Sequence, residues 1–335
     1  MNCRIILLFA ATACVALVPF RSPAPLIYYP GEGWYYEPAG ETADWVRPNA
    51  EAQLQVADQA FTNRNYSLTL RAAHRVMRVW PLSDYAPHAE YLVGRCLEVS
   101  GRDEAAFNAY QTIVEKYPHS PDYEDVLWRQ YKIANRFLDG EWFRLWNTVP
   151  LYRSMDKTAD MFTKIVQNGP YSDVAPHAQL RIGAAREKQE DYDNAVKAYE
   201  TAADRYHDQP AIAADALFNE GVAWQKQAAT AQYDQSAAQQ AIAAYTDFKT
   251  LYPNDQRVPE AQNAIATLKA VQVRGSFEIA QFYEKSKTLN AQQRRAGAIV
   301  YYNEVLQLNP NSPYAAEARA RLEALKPHAP TPPAS

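Results

Sequence analysis

The sequence predicts an all-α chain: a solenoid of about six helical hairpins closed by a C-terminal capping helix. Three observations carry that prediction. A thirteen-residue pattern of small and ring-bearing residues recurs six times, a proline or (once) a histidine ends every copy, and a second helix-forming stretch precedes most copies. Composition agrees, with abundant Ala, Gln, Glu, Arg and Lys, 11 glycines among 335 residues, and 22 prolines that fall mostly between the periodic segments.

The chain opens on "MNCRIILLFAATACVALVPFRSPAP", with one early positive charge at Arg4, an apolar stretch over 5–18, then Pro19 and Arg21. That stretch is shorter than the ~20 residues of a membrane span. It reads as an export signal over residues 1–24. Within it, Ala11-Thr12-Ala13-Cys14 resembles a bacterial lipobox, whose cysteine is lipidated and becomes the mature N-terminus. Cleavage after Ala13 or later without a lipid, or retention as an uncleaved anchor, are the alternatives for Cys14. Residues 25–48, rich in Pro, Gly and aromatics and without a period, read as an extended tether.

The folded body is expected over 49–326. Its six rows are "TLRAAHRVMRVWP", "AFNAYQTIVEKYP", "TADMFTKIVQNGP", "AVKAYETAADRYH", "AIAAYTDFKTLYP" and "AIVYYNEVLQLNP", ending at Pro81, Pro118, Pro170, His207, Pro253 and Pro310. The fifth position holds Ala73, Tyr110, Phe162, Tyr199, Tyr245 and Tyr302; the eighth holds Val76, Ile113, Ile165, Ala202, Phe248 and Val305. Three- and four-residue steps of this kind mark one buried helix face, and proline stops the helix for want of an N–H. Partner helices such as "APHAEYLVGRCLEVSG" and "APHAQLRIGAAREKQE" open on a Pro suited to the first turn and carry Gly94 and Gly183. An interior helical glycine needs something packed on it. Tyr199, between Ala195 and Ala202, is expected to fill the groove beside Gly183. Extra residues enlarge the third pair (an insert over 138–152) and the fifth (228–236); a long helix from about 258 to 287 opens the sixth, 312–326 caps the stack, and 327–335 reads as a disordered tail.

Charge and motifs exclude several function classes. Thirty-four basic against 38 acidic residues give a net charge of −4 with no Lys/Arg run, which argues against nucleic acid. Cys96 is the one thiol outside the leader and reads as a small buried residue. No two of the six histidines stand at i, i+4, so no metal site is expected. Ser154 and Lys157 match S-x-x-K, but no K-T-G follows, and Ser154 reads as a helix N-cap. No phosphate-cradling glycine loop is present, and no enzymatic role or cofactor is expected.

Row length and the Ala106/Tyr110/Pro118 pattern resemble the tetratricopeptide repeat, a helix–turn–helix of about 34 residues. The linking segments "YPHSP", "GPYSD", "LYPND" and "LNPNSP", and above all residues 236–326, are similar to the BamD-type outer-membrane assembly lipoproteins. Two features depart from that family: six pairs where it has five, and the aromatic insert. The resemblance implies a periplasmic scaffold held at the outer membrane that binds a BamA-like barrel protein and unfolded β-barrel clients. It implies no catalytic residues. The alternatives are another periplasmic adaptor serving envelope or division complexes, and a structural envelope lipoprotein without a client. In this repeat type first helices line the concave surface, which would turn His88, Tyr91, Arg95, Trp128, Lys132 and Leu180 into it. Of these, Tyr91, Arg95, Trp128 and Lys132 have the chemistry to receive an extended peptide; the plain alternative is a set of ordinary solvated groove residues. Trp142, Phe143, Trp146 and Tyr152 in the insert are either an exposed partner-binding cluster or a seal folded back on the third pair.

Overall fold

A computed structural model describes residues 26–29, 33–36, 44–145, 149–230 and 235–325. The leader with Cys14 and the C-terminal tail lie outside them. Among the described residues twelve helices form six antiparallel pairs: α1 (Ala50–Thr62) with α2 (Tyr66–Val79), α3 (Ala86–Val99) with α4 (Asp103–Lys116), and α5 (Tyr123–Leu138) with α6 (Met155–Asn168). Then follow α7 (Ala175–Glu187) with α8 (Tyr192–Arg205), α9 (Pro210–Thr230) with α10 (Gln235–Leu251), and α11 (Val258–Lys285) with α12 (Ala291–Leu308). A short helix α13 (Ala315–Ala324) packs on α12 as the cap. Each helix packs on its neighbours in sequence, while α1 also meets α3, α5 meets α7, and α7 meets α9, so first helices adjoin along one side.

Two small β-hairpins interrupt the helical plan. One lies in the tether, β1 (Leu26–Tyr29) antiparallel to β2 (Gly33–Tyr36); the other is the third-pair insert, β3 (Phe143–Leu145) with β4 (Val149–Tyr152). The tether is therefore in part a hairpin rather than extended throughout. Bulky and β-branched residues on both arms of the insert suit a strand. The register shifts between Phe143 and Arg144, and the buried Phe143 ring stacks on Phe137 at 4.2 Å.

The rows end as the prolines dictate. Trp80, Tyr117 and Gly169, each just before a proline, leave the helical region at φ/ψ near −130/60. Their N–H groups still close the last turn onto Val76, Ile113 and Ile165, the eighth row positions. Ser154 caps α6, its Oγ accepting from the Lys157 N–H at 3.2 Å.

The core is a ladder of ring pairs. Tyr110, Phe162, Tyr245 and Tyr302 on second helices meet Tyr91, Tyr131, Phe218 and Phe277 on first helices, with centroids 6.2, 5.8, 5.7 and 5.7 Å apart. Such pairs contribute about 0.5–1.5 kcal/mol beyond their buried area. Three residues beyond the first-helix ring comes a residue small enough for the second-helix ring to lie across. A Cβ at Gly94 would sit 2.7 Å from Tyr110 Cδ1, and one at Gly183 2.6 Å from Tyr199 Cζ. The pairing of Gly183 with Tyr199 is as the sequence predicts. Cys96 is buried, and burial pushes its thiol up to about 11, so it stays protonated and unreactive.

Candidate concave interaction surface

Side chains on the side where the first helices adjoin form the candidate surface. At its N-terminal end, His88 on α3 lies between two carboxylates: one ring nitrogen is 2.9 Å from Asp122 Oδ2, the other 3.2 Å from Asp58 Oδ1 on α1. Hydrogen bonds to Asp122 and then Asp58 raise its pKa to about 9. His88 is thus a cation at neutral pH and ties three successive repeats together. With 6.5 as the unfolded value, the stabilisation is complete below pH 6.5 and disappears as pH rises through about 9. Urea melts from pH 7 to 10 are expected to show stability falling from pH 7 to about 9 and levelling off above that. His88→Asn is expected to flatten that fall, and an unchanged slope would remove the clamp.

One helical turn on, the Tyr91 hydroxyl donates to Asp125 Oδ2 at 2.6 Å and accepts from Arg95 at 3.0 Å and from Arg129 at 3.2 Å. Arg129 also donates to Asp125 at 2.6 Å and to Glu98 at 3.2 Å. The Arg95 guanidinium lies over the rings of Phe61 and Tyr91. Arg136 grips the buried carboxylate of Asp103, with Nε 2.8 Å from Oδ2. Between these groups opens a cavity of about 450 Å³ lined by Arg95, Glu98, Asp103, Arg129 and Arg136.

The four predicted groove residues therefore divide into two sets. Tyr91 and Arg95 are in contact, and Tyr91 is largely buried with its hydroxyl engaged by the stack. Trp128 lies on the side of α5 that faces α7, edge-on to Tyr131 at 5.6 Å and 5.9 Å from His177. Lys132 is exposed on the same helix. The insert divides as well: Phe143 is sealed beneath Lys157, whereas Trp142 is 44% exposed with the Arg153 guanidinium over its ring. Trp146 lies outside the described residues, as does the side chain of Tyr152.

Sequence reasoning missed Asp58, Asp122, Asp125 and Arg129. A signal for two of them was present. Asp122 follows His88, and Asp125 follows Tyr91, by 34 residues, one repeat length. Among the described residues no group of His, Cys, Asp and Glu is placed to hold a metal ion.

Comparison with known proteins follows the same two levels. Residues 88–120 match the tetratricopeptide repeat model, and residues 152–306 match the YfiO family model, described as outer membrane lipoprotein. The chain is a BamD-like tetratricopeptide-repeat protein. The lipoprotein match begins at the end of the insert and runs into α12, so it covers α6 to α11 and most of α12. No curated protein sequence matches the BamD-like chain. Similar solved structures include the C-terminal part of a TPR repeat-containing protein from Cytophaga hutchinsonii, 14% identical, covering 81% of this chain and 87% of that one at a TM-score of 0.39. A tetratricopeptide repeat protein from Parabacteroides merdae is 10% identical, covering 82% and 98% at 0.36, and Pseudomonas aeruginosa pilF is 13% identical, covering 81% and 97% at 0.29.

Proposed function

We propose that this protein is a scaffold on the periplasmic face of the outer membrane, anchored by a lipid on Cys14, that joins a BamA-like barrel protein to unfolded β-barrel clients. The observation that carries the reading is the outer membrane lipoprotein match over residues 152–306. The role is one of binding rather than catalysis. The concave strip receives an extended client peptide, with Arg95 and Lys132 supplying charge and Tyr91 and Trp128 supplying rings. The barrel protein meets the C-terminal pairs, where Val271 and Phe282 on α11 and Val300 on α12 are at least half exposed. Apolar groups left at a surface in this way suit a protein contact.

Co-purification from detergent-solubilised outer membranes tests the scaffold role. A BamA-like barrel protein is expected with the wild type, and its loss from Phe282→Ser together with Val300→Ser. Recovery of an envelope or division complex with no barrel protein would replace this reading by the adaptor alternative. Anchoring has its own test. No helix among the described residues is long and apolar enough to cross a membrane. Cys14→Ser is therefore expected to move the protein from the membrane to the soluble periplasmic fraction. Unchanged fractionation with an unmodified mature N-terminus would remove the lipid.

A further inference from the structure

On the side where α5 and α7 adjoin stand five side chains that keep part of their surface outside the stack. Trp128, Tyr131 and His177 form a ring cluster, with Tyr131 and His177 centroids 6.4 Å apart. Tyr131 is fixed from beneath by the fully buried Phe162, edge to face at 5.8 Å. Arg181 Nε donates to the Tyr131 hydroxyl at 3.4 Å, so one cation borders the rings, and Lys132 on α5 is a second. His177, Arg181 and Lys132 are exposed, and among the described residues neither Lys132 nor Arg181 is paired with a carboxylate.

The preceding repeat shows what satisfaction of these positions looks like. Tyr131 is the counterpart of Tyr91 in the ring ladder, and Arg181 is the counterpart of Arg129, each arginine donating its Nε–H to the hydroxyl of its tyrosine. His88 and Tyr91 are met by Asp122 and Asp125. Where Asp122 and Asp125 stand seven and four residues before Arg129, Val174 and His177 stand before Arg181, and neither offers an acid. The α5–α7 face thus keeps the tyrosine and the arginine of the α3–α5 face and lacks its carboxylates. Rigid aromatic platforms beside cations are the groups that dominate recognition of acidic, ring-bearing segments. The strip continues into α3 through the Tyr91–Asp125 contact and into α9 by packing, so a bound chain can pass through rather than end there.

We propose that Trp128, Tyr131, His177, Arg181 and Lys132 form the docking site for an internal Asp or Glu that neighbours an aromatic residue in an extended segment of a partner protein. The proposal rests on the reading that the concave strip receives peptides, and it adds the residues and the side-chain chemistry that choose among them. Its test uses the full-length protein and a dye-labelled, N-acetylated, C-amidated peptide with a central Glu-Phe step, beside the Gln-Phe analogue. Fluorescence anisotropy is expected to show the Glu peptide bound at least tenfold more tightly than the Gln peptide. Lys132→Ala with Arg181→Ala is expected to abolish that preference while the helical circular dichroism signal stays intact, and Lys197→Ala, at an exposed position on α8 away from the rings, is expected to leave it. Equal binding of the two peptides overturns the proposal, as does restored affinity when the Gln peptide carries a free C-terminal carboxylate. Loss of binding in Arg95→Ala with none in the double variant overturns it too, yet leaves the groove reading standing. No binding of either peptide by the wild type removes the groove reading along with it.

Discussion

Gly183→Val is expected to destabilise the α7–α8 hairpin by about 1–3 kcal/mol through overpacking. The native glycine lies against the face of Tyr199, whose ring carbons would meet a new Cβ at 2.6 and 2.7 Å, before the two methyl groups of valine are placed. The ring has no room to yield. It is 2% exposed, lies between Ala195 and Ala202, and its hydroxyl donates to Glu187 Oε2 at 3.0 Å. Urea denaturation and amide exchange measure the effect. Because a solenoid repeat contacts only its neighbours, exchange should accelerate in α7 and α8 and in the helices packed on them, with less change in α1 and α2. Gly183→Val combined with Tyr199→Leu should recover part of the loss, since the smaller side chain frees the space. A Gly183→Val protein as stable as the wild type would mean that the two helices do not meet along this line.

This contact was legible in the sequence because it depends on local patterns. Ring and small residues at helical spacing identify a buried face, and proline identifies where it stops, without knowledge of any neighbour. The division of the concave surface was not legible for the converse reason. Repeat alignment puts Tyr91, Arg95, Trp128 and Lys132 on one side of the stack, but it does not say which side chain of the next repeat each will meet. Asp125 and Arg129 pair with each other at i, i+4 on α5, and only in three dimensions do they also meet the Tyr91 hydroxyl. The insert was recognisable by its aromatics, yet which of them the fold would take was not: Phe143 is buried and Trp142 remains at the surface.

A further regularity was in the sequence and is intelligible only with the structure. Each buried tyrosine of the second helices points its hydroxyl at one first-helix position: Tyr110 at Glu98, Tyr199 at Glu187, Tyr245 at Gln225 and Tyr302 at Glu284, at 2.8–3.0 Å. That acceptor always stands four residues after the small residue at Gly94, Gly183, Gly221 or Ala280. In the third pair the second-helix ring is Phe162, which has no hydroxyl, and four residues after Ala134 stands Leu138, buried and apolar. Ring and acceptor therefore change together, as they must where an unpaired buried polar group costs about 1–3 kcal/mol. Phe162→Tyr is expected to lose that amount, because its new hydroxyl would face Leu138. Leu138→Gln alone should also destabilise, by burying an amide beside a phenyl ring. The double variant, which reproduces the arrangement of Tyr245 with Gln225, should be more stable than the two single losses predict. A favourable coupling of about 0.5–3 kcal/mol in a urea double-mutant cycle is the expected result. Strict additivity would show that the tyrosine hydroxyls find water or other partners, and that the hydrogen bonds to first-helix acceptors do not hold the hairpins together.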